Sequence, residues 1–199
     1  MLQVNGFVLI LLIHQLVFQG IFFAKNSVLR HKLGTPIRGR NPEANLSIGF
    51  FALFIGVSIV VALFDAPFAG IEQPATVLAC ALLVFNLLIA AASLIDLGDS
   101  WRVGVLDDQQ TDLIEAGIYR YSRNPYFLSY LIMFAAYTVL LQSIILLILS
   151  LVGFALIHGM VLREEKYLTR VHGIKYRQYQ SEVPRYILFR GTKVAKDLM

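Results

Sequence analysis

Charged residues are scarce in this chain of 199 residues: Asp, Glu, Lys and Arg make up 15% of it, where soluble domains hold roughly a quarter. With 57% hydrophobic residues, that scarcity excludes an ordinary soluble domain. A single cysteine, Cys80, excludes a disulfide framework and leaves no Cys/His spacing that would hold zinc. The net charge is +4, but no soluble basic face with interleaved aromatics accompanies it, so nucleic acid is not an expected partner. The most telling absence runs from Pro125 to Leu162, where 38 consecutive residues include no Asp, Glu, Lys or Arg. One straight helix of that length would reach roughly 57 Å, about twice the hydrocarbon core of a bilayer. A hairpin of two spans breaking near Gln142-Ser143 fits instead, and it returns both ends of the run to the same membrane face.

Three further apolar runs are each about as long as a membrane helix needs to be: Val4 to Ala24, Ser47 to Phe64 and Ala75 to Ile95. Together with 125–141 and 144–162 they predict an all-α integral membrane protein, one domain of five transmembrane helices. The first run has no basic region before it and no small-residue cleavage site after it, so it is read as a retained helix. All 17 Lys and Arg fall on one side of this arrangement. Five lie between spans one and two, three in the loop 96–124, and nine in the tail 163–199. The inside-positive bias then puts the N-terminus outside and the loop, the tail and the C-terminus in the cytoplasm. Polar residues within spans (His14, Gln15, Gln19, Asn86, His158) are expected to face the bundle, as interhelical hydrogen-bond partners or as pocket lining. Gly49, Gly56, Gly153 and Gly159 are read as sites of close helix packing.

Two polar stretches flank the uncharged hairpin. In the first, Gly117 to Phe127, Arg123-Asn124-Pro125 has the form of a helix start, with Asn as N-cap and Pro at the first helical position. A helix N-terminus beside a guanidinium suits an anion. In the second, Glu164-Glu165 stand at the expected end of a long helix, where the dipole disfavours carboxylates. Salt bridges to Arg163 are one reason for the pair; a bound cation or two sugar hydroxyls are another. The only tryptophan, Trp101, reads as an interfacial anchor. A ligand with a carboxylate at one end and a ribose and a positive charge nearby would suit these residues. S-adenosylmethionine is such a ligand, and other zwitterions or nucleotides satisfy the same description.

Leu97-Gly98 with Trp101, then Leu113, Gly117, Tyr119, Arg123 and Pro125, a hydrophobic hairpin, and then Glu164-Glu165, Gly173, Tyr176, Tyr179 and Pro184 form a longer pattern. It resembles the isoprenylcysteine carboxyl methyltransferase family, which is related to the membrane phospholipid methyltransferases. The resemblance covers roughly residues 75 to 187 and includes the five-span prokaryotic architecture. It implies a pocket for S-adenosylmethionine lined by Arg123, Asn124, Pro125, Tyr126, Glu164 and Glu165. Leu113, Gly117 and Tyr119, with Val103, Gly104 and Val105 in the loop, would enclose the adenosine. Glu165 is expected to orient the cofactor or acceptor, and Arg163 to contact the acceptor.

The implied activity is methyl transfer from S-adenosylmethionine to a lipophilic acceptor from the bilayer, in a bacterial or archaeal inner membrane. That acceptor is an isoprenylcysteine carboxylate-like group or another membrane lipid. Three positions depart from the family pattern. Asn124 replaces the signature His, Phe127 replaces its Tyr, and Met160 stands where eukaryotic members have an arginine suited to a substrate carboxylate. Two other readings stand beside this one: an NADPH-dependent membrane reductase of the sterol type, and a non-catalytic membrane adaptor without cofactor affinity.

Overall fold

A computed structural model describes residues 6–34, 42–64, 72–101 and 112–186, and all regular structure among them is helical. The helices are α1 (Gly6–Leu33), α2 (Pro42–Phe64), α3 (Glu72–Asp96), α4 (Pro125–Leu141), α5 (Ile144–His172) and α6 (Ile174–Glu182), with short 3-10 turns at Gly98–Ser100 and Gly117–Arg120. Four of them (α1, α2, α3 and α5) are long and apolar enough to cross a membrane. α4 is apolar but has 17 residues, about 26 Å, a little short of the roughly 30 Å hydrocarbon core. α1 and α5 extend well past their apolar runs, into Lys- and Arg-bearing sequence.

α4 is the centre of the bundle. It packs along α3 and back against α5, and ten of its residues are buried. The hairpin between α4 and α5 turns where the uncharged run predicted, with Gln142 in the left-handed region at φ 46° and its N–H donating to the Thr138 carbonyl. Thr138 and Ser150 then join the two helices through their hydroxyls, 2.8 Å apart. Of the four glycines read as packing sites, Gly153 alone is crowded: a Cβ there would lie 2.6 Å from the Phe134 ring and 2.8 Å from that of Phe50. Gly49, Gly56 and Gly159 meet nothing within 4 Å. The outer surface carries large apolar side chains such as Leu16, Phe64, Val77, Ile95 and Leu151, each at least half exposed, as lipid-facing positions require.

Inside the bundle, a directed chain of hydrogen bonds ties α1, α3 and α4. The Asn86 amide donates to the Ser129 carbonyl at 2.6 Å, which leaves its Oδ1 to accept from His14 Nε2 at 2.9 Å. His14 Nδ1 is therefore the acceptor, taking the Tyr137 hydroxyl at 3.0 Å, and that hydroxyl in turn accepts from Gln15 at 2.8 Å. Three of the polar residues read from the spans thus serve helix packing. Trp101 is not the lipid-facing anchor its position suggested. It is buried, donates to Asn26 Oδ1 at 2.9 Å and meets the Tyr126 ring at 4.7 Å, joining the ends of α1 and α3 to the start of α4.

Replacing Tyr137 by Phe leaves His14 Nδ1 without a donor inside the bundle. We expect a destabilisation of about 1 kcal/mol, the size typical of such bonds between membrane helices. In detergent unfolding, the loss in a Tyr137→Phe/His14→Ala double variant should be smaller than the sum of the single losses.

Candidate functional site

The segment before α4 is held by the end of α3. Asp96 Oδ2 accepts the Ile118 N–H at 2.7 Å, and Gly117 passes directly over that carboxylate. Gly117 has φ +61°, and a Cβ on it would stand 2.0 Å from Asp96 Oδ2, so only glycine fits on both counts. Tyr119 follows, buried, with its carbonyl accepting the Tyr179 hydroxyl from α6 at 2.6 Å. Burial and the nearby negative charge of Glu164 push the Tyr119 phenol well above its usual range.

α4 starts at Pro125, as the Arg-Asn-Pro reading predicted, and the Asn124 carbonyl accepts the first helical bond from Leu128 at 2.9 Å. The capping role assigned to the Asn124 side chain is not what the structure shows. That amide turns inward and donates to Glu165 Oε1 at 3.1 Å, so the Asn124 side chain does not cap the first turn of α4. The dipole argument for Glu164-Glu165 also changes. α5 does not stop at the pair but continues for two turns to His172, so both glutamates are interior helix positions.

Glu165 is the hub of the site. Its side chain is 5% exposed and accepts from three residues. Arg123 donates from Nε at 3.2 Å and Nη2 at 3.0 Å, Asn124 from its amide, and Arg185 from Nε at 3.1 Å and Nη2 at 2.8 Å. Arg123 Nη1 reaches the Gln180 carbonyl at 3.0 Å and the Val183 carbonyl, and its backbone N–H donates to Pro184. Burial alone would raise the Glu165 carboxyl, but the hydrogen bonds from Arg185 and the charge of Arg123 outweigh it and hold the group below the usual carboxylate range. Two guanidiniums around one carboxylate leave a net positive charge at the uncapped start of α4.

Glu164, one position earlier on the helix, has different surroundings. It is half-buried and hydrogen-bonded to no described residue. Burial and the adjacent Glu165 charge push its pKa up to about 7. Glu164 is thus a carboxyl without a hydrogen-bond partner among the described residues, beside a net-positive helix start.

The family model for phospholipid methyltransferases matches residues 74–175, from the start of α3 to the beginning of α6 and just over half of the chain. The chain belongs to that family. No curated protein matches it. Membership, together with four helices apolar enough to cross a bilayer, makes it an integral membrane protein of a methyltransferase family. The segment carrying Gln180, Val183, Arg185 and Tyr186 lies beyond the matched residues.

Of the residues singled out in the sequence, Arg123, Asn124 and Glu165 converge directly, Pro125 is the buried first residue of α4, and Glu164 and Tyr119 lie beside the cluster. Tyr126 is buried between Trp101 and Tyr130, with its hydroxyl 3.0 Å from that of Tyr130. Leu113 is half-buried ahead of the Gly117 turn. Arg163 is exposed and points about 160° around α5 from Glu165, away from the cluster. Val103, Gly104 and Val105 lie outside the described residues. Arg185 is the member that local sequence reading missed. Its only signal was its place in a Val-Pro-Arg segment at the end of the second polar stretch.

Glu165→Gln leaves two guanidiniums around a neutral amide. We expect a loss of about 3 kcal/mol in unfolding at pH 7. Because the folded pKa of Glu165 is depressed, its contribution is present above the unfolded value of 4.5 and disappears as pH falls. Unfolding curves of the wild type and the variant should therefore converge in acid.

Proposed function

We propose that this protein transfers a methyl group from S-adenosylmethionine to a lipophilic acceptor that reaches the site from the bilayer. Family membership supports methyl transfer. The observation that carries the cofactor is Glu164, a half-buried carboxyl with no hydrogen-bond partner among the described residues and a pKa raised to about 7. The donors and acceptors around it fit this cofactor: Glu164 can accept from ribose hydroxyls, and the uncapped N–H groups of α4, backed by Arg185, can receive a carboxylate. In this reading Arg123, Asn124 and Glu165 act as the frame, since the Arg123 donors are already engaged.

When bound, the cofactor supplies an activated methyl on a sulfonium, so no nucleophile from the protein is needed. The chain's part is to hold the two reactants in line and to exclude water, worth several kcal/mol of the barrier. We place α4 as a fifth, short span, with the α4 start, the end of α5 and α6 on the cytoplasmic side. That side carries the Lys and Arg of the sequence.

Calorimetric titration of the detergent-purified protein should show saturable, micromolar binding of S-adenosylhomocysteine and none of NADPH. Binding of NADPH alone would replace the reading with a reductase. Glu164→Gln should weaken S-adenosylhomocysteine by about tenfold or more. The same variant should melt higher than wild type at pH 8. A carboxyl whose folded pKa is raised loses stability as pH climbs from 4.5 towards 7, and the amide escapes that loss.

A further inference from the structure

Gln19 departs from the pattern that the other polar residues of the spans follow. His14 and Asn86 are buried, Gln15 and His158 are half-buried, and each is hydrogen-bonded to another segment of the chain. Gln19, read from the sequence as a further inward-facing residue, is instead exposed. Its amide donates only to Gln15 Oε1, one turn back on α1, at a long 3.5 Å. Its own Oε1 accepts from no described residue. The carbonyl and one N–H of this amide therefore stand open on the outside of the bundle.

Depth decides what can cover it. Lys25 ends the apolar run of α1, and Gln19 lies six residues before it, about 9 Å inside the hydrocarbon. The polar groups of bilayer lipids stop at the edge of that layer, and water is absent from it. An amide left open there is costly, so the group that satisfies it comes from protein. The neighbours of Gln19 on the same face form a seam for another helix. Leu9, Leu12, Leu16 and Phe23 are 51%, 49%, 77% and 74% exposed. With Gln19 they recur at intervals of three, four, three and four residues. That is the spacing of the core positions in a left-handed helix pair, where a single polar seam residue fixes register and partner number. Gly20, beside the amide, has nothing within 4 Å of a Cβ placed on it, so a second helix can come close at this level.

We propose that α1 pairs in parallel with α1 of a second copy of this chain, across a two-fold axis along the membrane normal. A primary amide carries both an acceptor and donors, so it is complementary to itself. The two-fold puts the Gln19 residues of both copies at one depth, where each Nε2 donates to the other's Oε1. A different protein would need a polar group of its own matched to this depth; a second copy has one by symmetry. The contact also joins bonds already present. Gln15 links Gln19 to the Tyr137 hydroxyl, and through it to His14, Asn86 and the Ser129 carbonyl on α4. The surface between copies is thus continuous with the network that seats α4. The pairing is independent of the methyl-transfer reading.

The test uses the full chain in liposomes of neutral phospholipid, with donor or acceptor dye on a C-terminal tag. Energy transfer between copies should rise with the protein-to-lipid ratio and depend linearly on the acceptor fraction, as a dimer requires. Gln19→Leu should weaken association about tenfold, while Gln19→Asn, which keeps an amide, should retain most of it. Both variants should unfold in detergent like the wild type, which separates lost pairing from lost fold. In a Cys80→Ala background, oxidation of Leu16→Cys should give a covalent dimer. Leu53→Cys on α2 and Leu151→Cys on α5, both more than half exposed, should not. A chain that stays monomeric at every lipid ratio would overturn the proposal and leave the amide to a different membrane protein. Association unchanged by Gln19→Leu, or cross-linking through Leu53→Cys or Leu151→Cys in place of Leu16→Cys, would overturn it in favour of another face.

Discussion

A single buried carboxylate decides how the site-bearing end of this bundle is put together. Glu165 lies on α5, Arg123 and Asn124 immediately before α4, and Arg185 beyond α6, and all three donors end on its two oxygens. Buried charges are tolerated only when paired and hydrogen-bonded, and removing one partner strands the others. The cluster therefore works as a register lock. Once Glu165 is buried, the start of α4 and the returning tail have one arrangement that leaves no charge exposed to apolar surroundings. Arg123 extends the lock to the backbone, since it also satisfies the carbonyls of Gln180 and Val183 and takes that of Pro184 with its own N–H.

The two adjacent glutamates show how one helix produces opposite chemistry in neighbouring positions. A step of about 100° separates them around α5, enough to aim one into the guanidiniums and the other away. Glu165 is held ionised by charge and hydrogen bonds, while Glu164, desolvated by burial and repelled by its neighbour, rises to about 7. Environments that drive like groups apart in pKa are how acidic pairs acquire separate roles. A structural role absorbs Glu165, while Glu164 is left without a hydrogen-bond partner among the described residues.

Much of this was legible in the sequence because it is local or periodic. The apolar runs mark α1, α2, α3 and α5, the uncharged stretch too long for one span marks the hairpin, and Pro125 marks where α4 begins. What could not be read there depends on contacts distant in sequence. The Asn124 side chain has a capping partner available locally, but a buried carboxylate 41 residues away wins it. Trp101 has the composition of an interfacial anchor, yet Asn26 and Tyr126 draw it inside. Arg185 carries no periodic signal at all, and the extent of α5 was hidden because its last two turns are polar and look like a loop on hydropathy alone.

That hidden extension has a consequence for where chemistry can occur. α5 is 29 residues long, about 44 Å, so roughly 15 Å of it stands beyond Leu162. Gly173, at φ +55°, reverses the chain at the top and starts α6, whose Tyr176 and Tyr179 pack inward. The tail then returns beside α5, where the Arg185 side chain reaches Glu165 and that of the next residue, Tyr186, reaches His158, two turns below Glu165 on the helix. A helix that ended with its apolar run would leave no height for this return, and the tail would meet the bundle only at the headgroup surface. Overshooting the membrane is thus what allows a segment outside the apolar core to supply side chains both to the charged frame above the lipid boundary and to the imidazole just beneath it.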